Sequence, residues 1–422
     1  MVYRMKNLFK RITSHSLAKD SVIVMAGSMV ANIGAYLYHL VMGRLLGPSG
    51  YGELSSLLSI FYIFTVPLNV GTIVLVKFIS SMKAHGELGQ VRTLFVKVTK
   101  ACLVGSIVFL PVIIFASPFI SSFLHIQSTI LFILVYSIFV ISLVTVIATS
   151  ALQGYQKFLW VSMFGAGSII LKLLVSIPAV RFGVYGALCT MDGSSLVMYL
   201  LYFLPLRFIF QVKEASALTI TPREAIRYAV PSLFIILGMT SLYSTDVILV
   251  RHFFPGYEAG LYASLAVLGK IIFYASSAIA VVIFPVLSER TAKGEKGTKL
   301  IFIALAGVTA VSIAITLLYV AFPQFIIRMF FGSSYIQAAP LLGLFGIFLM
   351  LYSMGNMLTM IFMALGKVKM WFIPVLCAFV QILGIIIYHS SLTSVILVNA
   401  ASCLILVLSL LGYYIKQNYE KV

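Results

Sequence analysis

Apolar stretches of about 20 residues or longer recur along the whole of this 422-residue chain. A helix rises 1.5 Å per residue, so about 20 residues cross a hydrocarbon layer of ~30 Å. Because lipid offers the backbone no hydrogen-bond partners, such stretches must be helices. Only 9% of the residues are charged and the mean hydropathy is +1.11, whereas soluble domains carry roughly 25% charged residues. A soluble fold is excluded, and the composition predicts a polytopic all-α membrane protein.

The pattern predicts twelve transmembrane helices. Their approximate bounds are 21–44, 53–78, 98–118, 128–150, 159–180, 184–206, 228–250, 258–286, 300–322, 337–364, 368–388 and 393–414. The first apolar run is full length and follows a basic, polar N-terminus, so we expect no cleavable signal peptide.

The distribution of positive charge predicts the orientation in the membrane. With twelve crossings and the N-terminus inside, 23 of the 29 Lys and Arg residues fall on the cytoplasmic side, as the positive-inside rule requires. We therefore expect a multi-pass protein of the cell (plasma or inner) membrane with both termini cytoplasmic. The formal charge of +18 is then explained by basic loops that face anionic membrane lipids, and no nucleic-acid partner is expected.

Two similar segments indicate an internal duplication. RLLGPSGYG runs from Arg44 to Gly52 and RHFFPGYEAG from Arg251 to Gly260. In both, an Arg closes an apolar run, a Pro follows four residues later and a turn containing Tyr and Gly opens the next run. A loop with a glycine followed by a lysine also comes after both the fourth and the tenth runs. These two loops are separated by nearly the same number of residues as the two Arg segments.

The duplication predicts two six-helix lobes. An even number of spans in each half brings both halves in from the same side, so they are related by a parallel pseudo-two-fold axis along the membrane normal. We expect an N-terminal lobe over 1–210, a cytoplasmic linker over 211–227 and a C-terminal lobe over 228–422, with a substrate cleft between the lobes.

Four charged residues stand out as candidates for charges deep in the membrane, away from the ends of the predicted spans: Lys172, Asp192, Asp246 and Lys270. A charge at the centre of a span costs roughly 2.5 to 3.5 kcal/mol on insertion scales, so such residues line protein or water surfaces. They either pair with one another inside the bundle or carry function, and both interpretations stay open.

The repeat suggests an ion-coupling pair. Asp246 lies five residues before Arg251, as His39 lies five before Arg44. Two titratable groups at one depth could bind H⁺ or Na⁺; the alternative for His39 is a satisfied helix-interface histidine. Arg44 and Arg251 either face the cleft or snorkel to outer headgroups.

Other residue types carry weaker signals. Five tyrosines in predicted spans one, two, seven and eight offer stacking or hydrogen-bonding surfaces for sugars. They are Tyr36, Tyr38, Tyr62, Tyr243 and Tyr274. The prolines at 67, 231 and 285 permit kinks in spans two, seven and eight.

The sequence shows no set of residues for catalysis. It has no phosphate-binding GxxxxGK[ST] loop, no HExxH or GxSxG motif and only 11 acidic residues. Its four cysteines are scattered through apolar runs without metal-ligand spacing. We expect a protein that is not an enzyme and that holds no metal and no cofactor apart from a coupling ion.

The segments LAKDSVIVMAGSMVANIGAYL (17–37), RLLGPSGYGELSSLLSI (44–60) and PSLFIILGMTSLYSTDVILVRHF (231–253) resemble the Wzx-type polysaccharide flippases. These belong to the multidrug, oligosaccharidyl-lipid and polysaccharide (MOP) exporter superfamily. The resemblance implies a V-shaped fold like that of the multidrug and toxin extrusion (MATE) transporters. It also implies that the protein moves polyprenyl-pyrophosphate-linked oligosaccharides from the cytoplasmic to the outer leaflet for surface polysaccharide biosynthesis. A pyrophosphate needs cations, and the available ones are Arg44, Lys172, Arg251 and Lys270.

The resemblance also implies partners: the lipid-linked oligosaccharide, membrane lipids, and the polysaccharide polymerase and chain-length machinery. Two alternatives stay open. A MATE-like cation-coupled multidrug antiporter predicts an acidic or apolar cleft, and a membrane scaffold predicts purely structural buried charges.

Overall fold

Every long apolar run of the chain forms a helix in the computed structural model, which describes residues 16–211, 222–292 and 298–419. The helices are α1 Ser16–Phe64, α2 Val66–Ala84, α3 Leu88–Leu124, α4 Ile130–Gly154, α5 Phe158–Ala179, α6 Gly183–Phe210, α7 Pro222–Ser241, α8 Thr245–Phe253, α9 Gly256–Ala292, α10 Thr298–Ala321, α11 Pro323–Phe330, α12 Ala339–Ala364, α13 Phe372–Ile387 and α14 Leu392–Tyr419. Short 3₁₀ turns cover Val180–Phe182, Ser333–Ala338 and Val368–Trp371. The all-α membrane fold predicted from the sequence is confirmed.

Nine helical segments of the described chain are long and apolar enough to cross a membrane, or ten if the bent pair α7–α8 counts as one. Two of them, Met29–Ala84 and Phe158–Phe210, have 56 and 53 residues, about twice the length that one crossing needs. Each contains a glycine with positive φ, Gly47 (67°) and Gly183 (63°), between two predicted spans. Counting each as two spans reproduces the number twelve, which stays a prediction.

The seventh predicted span, 228–250, is not one continuous helix. It bends by 41° between α7 and α8 at residues 242–244. The sequence placed its kink signal at Pro231, but that residue lies inside α7 and the break comes further along. The break frees backbone groups inside an apolar region, and these need partners from neighbouring helices.

Contacts divide the chain into two compact units. The first takes in the described residues up to Val41, Leu68–Pro118 and the chain from Thr129 to the end of α6. The second takes in Met42–Pro67, Phe119–Ser128 and the described residues from Arg223 onward. Two segments of the first half of the sequence thus pack with the second half. The predicted lobe boundaries stay a prediction, and most of the linker predicted at 211–227 lies outside the described residues.

Each unit has its own helix packing. In the first, α6 packs against α4 and α5; in the second, α12 packs against α9, α10 and α14. Large apolar side chains are exposed on the outer faces, and Phe115 of α3 is 88% exposed. Exposed apolar surface of this extent is typical of a lipid-facing helix.

The two repeated turns meet inside the second unit. A Cβ on Gly52 would lie 2.7 Å from the backbone N of Gly260, and a Cβ on Gly260 would overlap the carbonyl of Pro48. Backbone therefore contacts backbone where the two copies of the motif face each other, and only glycine fits.

We expect Gly260→Ala to destabilise the protein by about 1–3 kcal/mol, because the methyl group overpacks against rigid backbone. Gly105→Ala is the control, since a Cβ there meets no atom within 4 Å. Thermal unfolding of both variants in the same detergent checks the prediction. Equal melting temperatures for the two variants would show that the turns are not in tight contact.

Candidate functional site

The helix break between α7 and α8 places a carboxylate in the interior of the second unit. Asp246 is the second residue of α8 and is 1% exposed. Its Oδ1 accepts a hydrogen bond of 2.9 Å from the backbone N–H of Val247. The positive end of a helix dipole stabilises a negative charge at this position.

Three side chains from other helices complete a polar cluster around this carboxylate. Tyr262 of α9 donates from its hydroxyl to Asp246 Oδ2 over 2.5 Å. Asn399 of α14 donates from Nδ2 to the Tyr262 hydroxyl over 2.7 Å and lies 3.4 Å from Asp246 Oδ2. Gln381 of α13 donates from Nε2 to Asn399 Oδ1 and to the Leu242 carbonyl freed by the break, each over 2.9 Å. Tyr262, Asn399 and Gln381 are fully buried.

One oxygen of the cluster and one at the helix break have no hydrogen-bond partner among the described residues. Within the described part of the chain, Gln381 Oε1 and Ser244 Oγ are buried without a hydrogen-bond partner. A buried acceptor without a partner costs about 1–3 kcal/mol. A carboxylate with amide, hydroxyl and carbonyl oxygens is the ligand set that a hard cation prefers, and the carboxylate alone suits a proton.

Lys270 of α9 is held by aromatic rings in the same unit. Its Nζ lies 5.0 Å from the ring centroid of Tyr62 and 5.2 Å from that of Tyr243. Lys270 and Asp246 also attract each other electrostatically, which supports the interpretation that these two residues pair inside the bundle. Within the second unit, the structure thus groups four of the predicted site residues around the Lys270 ammonium group: Lys270 itself, Tyr62, Tyr243 and Asp246.

Lys172 of α5 has a similar setting in the first unit. Its Nζ lies 4.1 Å from the ring centroid of Tyr38, whose hydroxyl donates to the Ala187 carbonyl over 3.4 Å. Asp192, its candidate ion-pair partner, accepts a hydrogen bond of 2.6 Å from Ser137. Lys172, like Lys270, therefore rests on an aromatic face.

The remaining predicted residues take other positions. His39 lies in the first unit with its ring edge-on to that of Tyr38, at 5.9 Å between centroids. Tyr36 is half-buried in the first unit. Tyr274, in the second, is 49% exposed and packs on Phe273. Their assignments to ion coupling and sugar contact stay predictions.

Arg44 and Arg251 both donate to the ends of helices. Arg251 is 8% exposed and donates from Nε to the Leu124 carbonyl over 3.1 Å and from Nη2 to the His125 carbonyl over 3.2 Å. The neighbouring His252 places Nδ1 2.6 Å from the Phe123 carbonyl. Three consecutive carbonyls at the end of α3 thereby gain partners, which the last turn of a helix lacks within itself.

Arg44 caps a helix end in the second half of the chain. It donates to the carbonyls of Arg328, Met329 and Phe330 at the end of α11. The two sets of carbonyls are separated by nearly the same number of residues as the two arginines. Each copy of the repeat thus caps a helix of the other copy. As found here, both guanidinium groups are engaged with protein, and their role toward phosphate stays a prediction.

The sequence analysis missed Tyr262, Gln381 and Asn399. A signal was present, because Gln381 and Asn399 are amides inside apolar runs and buried amides need partners.

Comparison with known proteins adds a family and a fold. The sequence profile described as "Polysaccharide biosynthesis protein" matches residues 41–340. An uncharacterized membrane protein of Methanocaldococcus jannaschii is 24% identical over 293 residues, which cover 65% of this chain and 68% of that protein.

Among solved structures, the lipid II flippase MurJ in an inward closed conformation matches with a TM-score of 0.73 and 14% identity, over 93% of this chain and 87% of that one. An inward-facing MATE family transporter of the MOP superfamily matches with a TM-score of 0.70 and 14% identity, over 89% and 94%. At such identities the likeness establishes the fold alone.

Proposed function

Because the chain belongs to the polysaccharide biosynthesis protein family, we propose that it moves polyprenyl-pyrophosphate-linked oligosaccharides from the cytoplasmic to the outer leaflet by alternating access. Its fold is that of the MOP transporters, so the resemblance drawn from the sequence is confirmed. The family and the fold together support a multi-pass membrane transporter of the MOP type. The identity of the substrate and the direction of its movement are what we propose.

The setting of the two lysines carries the proposal. Lys270 and Lys172 sit in membrane-spanning helices with their ammonium groups over tyrosine rings. A ring face returns about 0.5 to 2 kcal/mol to a cation, depending on its desolvation, less than burying the charge costs. An ammonium group held in this way is positioned and still able to bind an anion such as pyrophosphate.

The aromatic rings themselves suit the rest of the headgroup. Tyr243 packs against Tyr352 with ring centroids 5.5 Å apart and against Phe273 at 6.2 Å. A rigid aromatic group beside a cation offers an apolar face to a sugar ring next to the charge that holds its phosphate. This arrangement supports a substrate that is both anionic and glycosylated.

We further propose that the cluster of Asp246, Tyr262, Gln381 and Asn399 couples transport to H⁺ or Na⁺. Broken membrane helices whose freed carbonyls meet ionisable side chains are the usual ion sites of secondary transporters. Gln381 Oε1 and Ser244 Oγ have no hydrogen-bond partner in the described part of the chain and favour Na⁺ as the coupling ion, because they are available as ligands. The single carboxylate favours H⁺. Binding or release of this ion at Asp246 would change the charge next to Lys270.

The second candidate is a cation-coupled multidrug antiporter. The fold likeness to a MATE transporter and the buried Asp246 favour it. It predicts that removing lysine charge leaves transport intact or improves it, because a cationic drug gains nothing from a neighbouring ammonium group.

The lysine variants separate the two candidates. In vesicles with leaflet-resolved detection of a pyrophosphate-linked oligosaccharide, we expect Lys270→Ala and Lys172→Ala to slow movement by ~10-fold or more, the value of one charge-assisted hydrogen bond. Lys157→Ala is the matched control, because its Nζ also lies over a ring, that of Phe208 at 3.9 Å, outside the predicted spans. Equal rates in all three variants would remove the lysines from the transport path.

A further inference from the structure

We propose that the cavity beside α11 binds an anionic phospholipid of the bilayer, with the lipid phosphate at Arg328. The residues that line this cavity do not belong to the polar cluster around Asp246. The cavity has a volume of about 740 Å³, and its lining includes Arg328, Gln324, Phe322, Phe325 and Met329. It combines one cation and one amide with large apolar side chains and contains no acidic group among its lining residues.

The helix that forms the cavity is amphipathic and is anchored on one side. Ile327 is fully buried, as is Phe331 just beyond the helix end. Arg44 holds the last three carbonyls of α11. The opposite side is exposed, with Phe325 at 65% and Met329 at 52%. A short helix of this kind lies at the boundary between headgroups and acyl chains.

The spacing along α11 puts the polar and apolar contacts side by side. Residues four apart share a helix face, so Gln324 lies beside Arg328 and Phe325 beside Met329. The guanidinium group and the amide can both donate to phosphate oxygens. The aromatic side chain next to them is placed to contact the first carbons of the acyl chains.

An apolar surface continues from the cavity along the preceding helix. Leu317, Leu318 and Val320 at the end of α10 are 53% to 61% exposed. A lipid whose phosphate lies at Arg328 can therefore run its acyl chains along α10. Anionic phospholipid is the occupant that matches both the charge of Arg328 and this surface. With twelve spans and the N-terminus inside, as predicted from the sequence, the connection after the ninth span lies on the outer side. Arg328 belongs to this connection, so we expect the site in the outer leaflet.

The test measures lipid retained on the purified full-length protein by native mass spectrometry. Phosphatidylglycerol and phosphatidylcholine are titrated in turn against wild type, Arg328→Ala and Arg181→Ala. Arg181 is the matched control, because it is an exposed arginine just after the fifth predicted span and so on the same predicted outer side as Arg328. Its Cζ lies 4.9 Å from the ring centroid of Phe182. We expect Arg328→Ala to weaken phosphatidylglycerol binding about fivefold, the value of one cation at a lipid surface, with Arg181→Ala unchanged.

Several outcomes would overturn the proposal. One is wild-type binding in Arg328→Ala, and another is an equal loss in both variants, which would mean a general effect of surface charge. Equal retention of phosphatidylcholine and phosphatidylglycerol by wild type would also contradict it. If Arg328→Ala fails to fold, Arg328→Gln replaces it with the same expected loss, and Arg328→Lys must retain the lipid.

Discussion

Asp246→Asn is expected to reduce ion-driven transport by ~10-fold or more, because it removes the only negative charge among the four side chains of the cluster while keeping its shape. The amide oxygen can still accept from the Val247 N–H, and the amide nitrogen takes the place of Oδ2 and can donate to the Tyr262 hydroxyl. Gln381 still binds the Leu242 carbonyl, so the break between α7 and α8 keeps its partner. An amide neither takes up a proton near neutral pH nor supplies a full charge to Na⁺. The measurement is movement of a lipid-linked sugar in vesicles with an imposed H⁺ or Na⁺ gradient.

Two further variants locate the coupling site. Tyr262→Phe removes one oxygen ligand and keeps the carboxylate, so we expect a smaller loss of transport than in Asp246→Asn. His39→Ala is expected to retain transport if the cluster alone couples the ion. Full gradient-driven transport in Asp246→Asn would show that coupling lies elsewhere. Loss in His39→Ala but not in Asp246→Asn would transfer it to the first unit.

Arg251→Ala is expected to lower the free energy of unfolding by about 2–5 kcal/mol, because it leaves the buried Leu124 carbonyl and the partly buried His125 carbonyl at the end of α3 without their partner. The change also leaves the Glu53 carboxylate, which interacts electrostatically with Arg251, without its positive neighbour. Arg251→Lys should recover only part of the loss, since an ammonium group cannot reproduce the two-pronged geometry of a guanidinium. Thermal unfolding in detergent measures all three proteins.

Arg44→Ala is the matched comparison within the repeat. Its side chain donates to three carbonyls but is exposed, so water replaces the lost bonds and the expected destabilisation is smaller. If both alanine variants keep wild-type stability and lose transport, the arginines act on substrate and not as caps. That result would favour the phosphate-binding role predicted from the sequence.

The sequence predicts most of the fold because lipid leaves a long apolar segment few alternatives to a helix. The gaps between predicted spans one and two and between five and six contain Gly47 and Gly183, where the backbone takes positive φ. The repeat motif also put Arg44 and Arg251 at matching positions, each at the end of an apolar run. Their exchange of caps depends on which helix ends meet in three dimensions, and a single sequence does not contain that pairing.

The site was harder to predict than the fold for a related reason. Asp246 and Lys270 are visible because a charge inside an apolar run is costly. The break at residues 242–244 is not visible in the sequence, because these three residues include no proline or glycine. The partner of the freed Leu242 carbonyl is Gln381, which lies far away along the chain. Amides at 381 and 399 acquire meaning only once α13 and α14 are placed beside α8.

The most direct measurement compares two tagged probes on wild-type protein in reconstituted vesicles. One carries an oligosaccharide on a polyprenyl pyrophosphate, and the other carries the same sugar and tail through an uncharged linkage. We expect rapid, gradient-dependent movement of the pyrophosphate probe between leaflets and little movement of the uncharged one. Equal movement of both probes, or gradient-driven movement of a cationic drug with neither probe moving, would contradict this expectation.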